Sequence, residues 1–334
     1  MTRYAPTGAV AAAHHLAATA GVVMLDQGGN AADAAVAAGA VMAVVAPHMC
    51  GLGGDLFAVI AWPGQPITAL NASGRAGSGA DAAALRAEGL FRMPFQHDVR
   101  AVTLPGYVDG LVALHSRFGS LQMGELLAPA RRLASTGFPV STGLADATGW
   151  LHEQDRDAAF GTGAALVPGQ SIRLPGIARA LAAIASGGRS AFYEDAVGAE
   201  ILAVGAGEFS EEDLRVLQAD WAEPLGLAAF GRTLWTVPPN SQGYLALAGA
   251  WIAEQAGIPD DPQDDSWAPL LVESARQAAF DRPAVLREDA DGQALLAPAR
   301  LEPRAAAVRE SSSGELADVY QAGGTTHICT VDGS

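Results

Sequence analysis

The sequence predicts a mixed α/β (α+β) protein on three observations. Two alanine-rich helical stretches lie near the amino end, a hairpin pattern at 56–71 and a β-rich alternating stretch at 225–237 occur, and an amphipathic helical region fills the middle. Residues 8–27 space alanine, leucine and valine as a helix does, and Gly28-Gly29-Asn30 both stops that helix and starts the next. The second helix covers 31–45 and ends before Pro47, which disfavours helical backbone in the residue preceding it. Gly51-Leu52-Gly53-Gly54-Asp55 follows as a tight helix-to-strand connection.

Residues 56–62 read as a buried strand, and Pro63-Gly64-Gln65-Pro66 turns the chain into 67–71. From 104 to about 206 the pattern is helical, at 107–118, 123–135 and 177–186, with Gly and Pro as punctuation. Ser210-Glu211-Glu212-Asp213 opens a short helix with a capping hydroxyl. After Pro238-Pro239-Asn240, residues 244–256 and 267–280 are helical, and 323–331 returns to strand character. No internal repeat, low-complexity tract or long linker interrupts the chain, so a single domain is expected.

Composition removes several function classes. Half of the 334 residues are hydrophobic, enough for a large core. No run of about 18 uncharged apolar residues occurs, and 31–45 carries Asp33, so no membrane span is expected. The first residues lack a charged segment followed by a clean apolar one, and the expected location is the cytoplasm. Cys50 and Cys329 sit in no ligand spacing, so neither a disulfide framework nor a zinc site is expected, and both read as small buried hydrophobes. A net charge of −16 argues against nucleic acid, which leaves a small substrate or a protein partner. All 20 basic residues are arginine; within these residues that excludes Schiff-base chemistry, a phosphate-binding P-loop lysine and a lysine base. No cofactor and no metal are expected.

The run Gly323-Gly324-Thr325-Thr326-His327-Ile328-Cys329-Thr330-Val331-Asp332 is the part of the sequence that points to chemistry. Two glycines leading into a threonine at the head of an alternating stretch suit a self-cleaving N-terminal nucleophile enzyme, and they equally suit an ordinary turn before a strand. On a strand, Thr325 and His327 share a face and Thr326 points to the other. That makes Thr326 the weaker nucleophile. His327 reads either as a helper in the site or as a histidine hydrogen-bonded in the core.

Several motifs occur in a fixed order. They are Gly29-Asn30-Ala31-Ala32-Asp33-Ala34, Pro47-His48-Met49-Cys50-Gly51-Leu52-Gly53-Gly54, Leu104-Pro105-Gly106, Phe118-Gly119 and Leu126-Leu127-Ala128-Pro129-Ala130. Ala191-Phe192-Tyr193, Asp220-Trp221-Ala222-Glu223-Pro224-Leu225, Pro238-Pro239-Asn240-Ser241-Gln242-Gly243 and Thr325-Thr326-His327 continue the series. Collinear over nearly the whole chain, they resemble the precursor of the gamma-glutamyltranspeptidase (glutathione hydrolase) family. The resemblance implies a four-layer αββα N-terminal nucleophile hydrolase sandwich whose precursor cuts itself before a threonine. The matching bond here is Gly324-Thr325, which makes residues 1–324 the large subunit, 325–334 the start of the small subunit, and Thr325 the nucleophile.

The resemblance also implies a γ-glutamyl or other small amide substrate, and a small-subunit partner that completes the central sheet pair. The chain would then hold the large subunit plus a stub, with an incomplete active site. One motif departs. Where the γ-glutamyl specialists carry a Phe-Arg-Glu type motif, whose arginine clamps the substrate α-carboxylate, this chain reads Asn71-Ala72-Ser73-Gly74-Arg75-Ala76. Ser73 takes the aligned place, and Arg75, two residues on, keeps the same face if the strand continues, about 7 Å further along it. Arg75 reads as a displaced clamp or as a structural arginine paired with an acidic neighbour. The displacement keeps open a broader amide or cephalosporin-type acylase on the same scaffold; a non-catalytic large subunit that complements a separately encoded small one is a further alternative.

Overall fold

The computed structural model describes residues 5–94, 98–310 and 324–333, so Gly323 lies outside the described residues. In chain order the elements begin with β1 (Gly8–Ala12), α1 (His15–Asp26), α2 (Ala31–Val45), β2 (Leu56–Ile60), β3 (Thr68–Ala72) and α3 (Ala82–Ala87). The helical middle follows as α4 (Tyr107–Phe118), α5 (Met123–Thr136), β4 (Phe138–Pro139), α6 (Thr142–Thr148), α7 (Glu153–Phe160), β5 (Ser171–Ile172), α8 (Pro175–Tyr193), α9 (Ala196–Val204) and α10 (Glu211–Arg215). Then come β6 (Asp220–Ala222), β7 (Leu225–Ala229), β8 (Arg232–Thr236), α11 (Tyr244–Ala256), α12 (Trp267–Ala278), α13 (Arg282–Val285), α14 (Gly292–Leu295), α15 (Pro298–Arg309) and β9 (Ile328–Asp332).

The contacts fall into two compact units. The first comprises Met1–Leu56, Ala72–Ala219 and Gly323–Ser334; the second comprises Phe57–Asn71 and Asp220–Ala322. In the first, α2 is the central helix: it touches α1, α4, α5, β1 and β9. Ala34, Ala37, Ala38, Ala40, Val41, Met42, Ala43, Val44 and Val45 are all almost fully enclosed. A helix buried all round shows no apolar stripe, and its run of alanines lets five neighbours approach its backbone. In the second unit, α11 is central. Its Tyr244, Leu247, Ala248 and Ile252 pack with Leu225, Ala278, Leu295, Leu301 and Ala305 into one cluster.

The first helix expected at 8–27 is corrected at its start, because residues 8–12 are strand β1. That strand pairs antiparallel with β9, Gly8 opposite Asp332 and Ala12 opposite Ile328. Short Gly-Ala-Val-Ala-Ala sequence fits either state, and the cross-strand partner decides. β3 pairs antiparallel with β6, and β7 with β8 as a hairpin around Phe230 and Gly231. Among the described residues the sheets have two or three strands each and do not close. No described helix is long and apolar enough to cross a membrane.

Candidate active site

The amino end of α2 fastens β9 in place. Asn30 is its N-cap: the amide oxygen accepts from the Ala32 and Asp33 N–H groups at 2.9 and 3.1 Å, and the Asp33 carboxylate accepts from the Asn30 N–H at 3.0 Å. This reciprocal pair satisfies donors that a helix start otherwise leaves unmet. Asp33 also accepts from the Ser120 and Leu121 N–H groups, and the Asn30 side-chain amide donates to the Phe118 carbonyl at 2.7 Å. From the other side, Asp332 accepts from the Ala31 N–H at 2.7 Å and the Thr330 hydroxyl donates to the Ala31 carbonyl at 2.8 Å. The Gly29-Asn30-Ala31-Ala32-Asp33 motif is thus a knot that ties α2, the Phe118-Gly119 turn and β9 together.

Just ahead of β9, Gly324 lies against the loop after α2. A β-carbon placed on it would be 2.3 Å from the His48 carbonyl oxygen and 3.1 Å from the Met49 Cα, so only glycine fits. The Gly324-Thr325 bond and the Pro47-His48-Met49-Cys50 motif therefore meet backbone to backbone. Thr325 and His327 are exposed and Thr326 is half-buried. The opposite-face expectation for Thr326 thus agrees with the exposure, although the ladder starts only at Ile328. The Thr326 hydroxyl oxygen is enclosed without a hydrogen-bond partner among the described residues, as is Nδ1 of His48.

Burial lowers the pKa of His48, and burial, then His15, then His48, lower that of His14. The Cys50 thiol is pushed up to about 11 by burial, which keeps it protonated and unreactive near neutral pH. Cys329 is a correction: it is exposed, because it falls on the solvent side of the alternating β9.

The loop at 47–54 continues from this contact toward Arg75. Gly54 offers its carbonyl to the N–H groups of Gly106 and Tyr107 at 3.0 and 2.8 Å, which fixes the start of α4. Gly106 in turn packs on Ala72: a β-carbon there would sit 2.1 Å from the Ala72 carbonyl. That is why the Leu104-Pro105-Gly106 motif needs its glycine.

Arg75 itself is not on a strand. β3 ends at Ala72 and Gly74 has φ 73°, so the premise that a two-residue shift keeps one strand face is corrected: the backbone turns between Ser73 and Arg75. The Ser73 carbonyl accepts from the Thr103 hydroxyl, while the Arg75 carbonyl accepts from the Leu104 N–H at 2.8 Å. The Arg75 N–H donates to Gln218 Oε1 at 3.0 Å, and its guanidinium donates to the Leu217 carbonyl.

Behind Arg75 is a buried polar group that no sequence pattern singled out. Asp109 pairs with Arg189 at 2.8 Å and accepts from the Gln218 N–H at 2.7 Å. Tyr193 donates its hydroxyl proton to the Pro105 carbonyl and accepts from the Asp109 N–H at 3.3 Å. Burial raises the Asp109 pKa, against the pull of the Gln218 N–H and of Arg189. Asp109 lies in the first turn of α4 and is buried, and nothing local in the sequence marks an acid there as enclosed. In the second unit, Asn71 donates to Asn240 at 2.9 Å, which joins the end of β3 to the Pro-Pro-Asn motif. Among the described residues no group of three His, Cys, Asp or Glu side chains could hold a metal.

The gamma-glutamyltranspeptidase family profile matches residues 17–334. The chain belongs to that family. It is 34% identical to the glutathione hydrolase-like YwrD proenzyme of Bacillus subtilis over 84% of this chain and 55% of that protein. It is 35% identical to the oxamate amidohydrolase proenzyme of Klebsiella pneumoniae over 98% of this chain and 65% of that protein. The chain thus spans between half and two thirds of these relatives' length.

Its fold is that of the Helicobacter pylori gamma-glutamyltranspeptidase (TM-score 0.83, 23% identity, 96% of this chain and 95% of that one). It is equally close to the cephalosporin acylase of Bacillus halodurans (TM-score 0.84, 28% identity, 99% of this chain and 64% of that one). The N-terminal nucleophile hydrolase fold expected from the motifs is therefore the fold of the family member described here. The names of these relatives and neighbours are those of hydrolases, an amidohydrolase, an acylase and a transpeptidase.

Proposed function

We propose that this chain is the greater part of a proenzyme that cuts itself between Gly324 and Thr325 and then acts as a glutathione hydrolase-like amide acyl transferase, with Thr325 as nucleophile. The observation that supports this most is local: Gly324 is clamped against the His48 and Met49 backbone while Thr325 beside it is exposed just ahead of β9, a strand anchored at Ala31. In self-cleavage the Thr325 hydroxyl adds to the Gly324 carbonyl carbon. The C–N bond breaks to leave an ester and a free amine, and water then hydrolyses the ester to a Gly324 carboxylate. The released α-amine, with a pKa of roughly 8, is a base on the same residue as the hydroxyl it activates.

In turnover that amine takes the hydroxyl proton as the oxygen attacks a substrate amide, then gives it to the departing amine. The acyl group left on Thr325 passes to water or to an acceptor amine. A small subunit that follows in the same precursor would supply the rest of the site, and Arg75 would meet the substrate carboxylate. Expressed with its following coding sequence, the protein should yield a fragment beginning at Thr325 by N-terminal sequencing, and Thr325→Ala should stay uncut and inactive. An intact wild-type chain, or full amidase activity in Thr325→Ala, would refute the mechanism.

A second reading, a broader amide acylase, is favoured by the turn at Gly74 that removes Arg75 from the strand and by the likeness to an oxamate amidohydrolase and a cephalosporin acylase. Turnover of γ-glutamyl against simple acyl anilides decides between the two.

A further inference from the structure

We infer that Asp109, Arg189 and Gln218 form a positioning unit that holds the Arg75 guanidinium for the carboxylate of an acyl donor and so sets the preference between γ-glutamyl and uncharged acyl amides. The inference rests on the role proposed above for Arg75. Because Arg75 lies past the end of β3 and beyond the turn at Gly74, no sheet ladder fixes it. Beside the Leu104 N–H on its carbonyl, the stretch at 214–218 holds it, through the Leu217 carbonyl on the guanidinium and Gln218 Oε1 on the Arg75 N–H.

That stretch is held in turn by charged side chains. Arg189 donates to the Leu214 and Val216 carbonyls at 2.7 and 2.8 Å, and Gln218 donates from its side chain to Val216 at 2.9 Å and from its backbone to Asp109 at 2.7 Å. Asp109 and Gln218 are each 3% exposed, so the bond between them is sealed from water. Arg189 also lies over the Tyr193 ring at 4.6 Å, which fixes its own plane.

The charges are arranged to suit an anion. Asp109 faces Arg189 at 2.8 Å, and a pair of opposite charges so close presents little net field a few ångströms away. Arg189 thereby answers the buried anion that lies behind Arg75. Loss of Arg189 would turn Asp109 onto Arg75, and loss of Gln218 would free the Arg75 backbone. Both would weaken carboxylate binding while leaving the acyl-transfer groups in place.

The test uses the self-cleaved wild-type protein, a γ-glutamyl anilide and an acetyl anilide. Arg75→Ala and Gln218→Ala should each raise the ratio of the γ-glutamyl KM to the acetyl KM about tenfold, a loss of about 1.4 kcal/mol. The double variant should be no worse than Arg75→Ala alone, since both act through one group. Asp109→Asn keeps the shape and the acceptor for Gln218 but leaves the Arg189 charge unbalanced behind Arg75, so it should lower the ratio, and Tm reports folding in each case. A ratio untouched in Gln218→Ala and Asp109→Asn, or kcat falling equally on both anilides, overturns the inference while Arg75 keeps its role. A ratio untouched in Arg75→Ala overturns the role of Arg75 and the positioning unit with it.

Discussion

At Gly324 the absence of one methyl group decides what the chain can do. With the His48 carbonyl 2.3 Å from where a β-carbon would lie, Gly324→Ala must push the loop or the following threonine aside. Self-cleavage in this variant should slow by at least about tenfold, read as uncut chain on a gel over time, from a displacement of an ångström or less. Two tyrosines make a matched pair of opposite sign. Tyr193 uses its hydroxyl as donor and acceptor, so Tyr193→Phe should cost about 1–2 kcal/mol and lower Tm by several degrees. Tyr244 is fully enclosed and its hydroxyl has no partner among the described residues, so Tyr244→Phe should leave Tm unchanged or raise it.

Among the elements, the start of α2 carries the most. Asp332→Ala removes the acceptor for the Ala31 N–H and a negative charge from a helix start, and should cost about 1 kcal/mol in a denaturant melt. The bounds of α2, α4 and α11 were legible in the sequence because each has clear terminal signals: Asn30 with Asp33, Gly106 and Gly119, Gly243 and Gly257. β1 was not legible, since five small residues become a strand only when β9 lies beside them. The same holds for the site. Thr325 could be picked out from its neighbours in sequence, whereas Asp109, Arg189 and Gln218 are joined across 80 to 109 residues and leave no local pattern. Arg75 was seen but misplaced, because one glycine at φ 73° ends the strand on which its geometry was argued.

For the molecule as a whole, two half-buried histidines set a pH limit. His14 and His48 have folded pKa values below the unfolded value of about 6.5, so the unfolded chain binds more protons once pH falls under it. The stability this pair contributes is complete above about pH 6.5 and is lost as pH drops toward the folded values. Asp55 and Asp109, raised by burial, push the opposite way in the acid range, so a comparison of variants is the clean measurement. Tm should fall from pH 7 to 5.5, and it should fall less in His48→Gln. Equal slopes in both proteins would show that His48 carries none of the effect.

The bond between Asp332 and Ala31 spans 301 residues of sequence. Contacts of that separation must close a very long loop, and they form late. The segments around Ala31 and Asp332 can therefore meet only once the helices between them have packed. The proposed backbone cut, which depends on Gly324 resting against His48, would thereby be timed: it would wait for folding to finish, and a misfolded chain would stay in one piece.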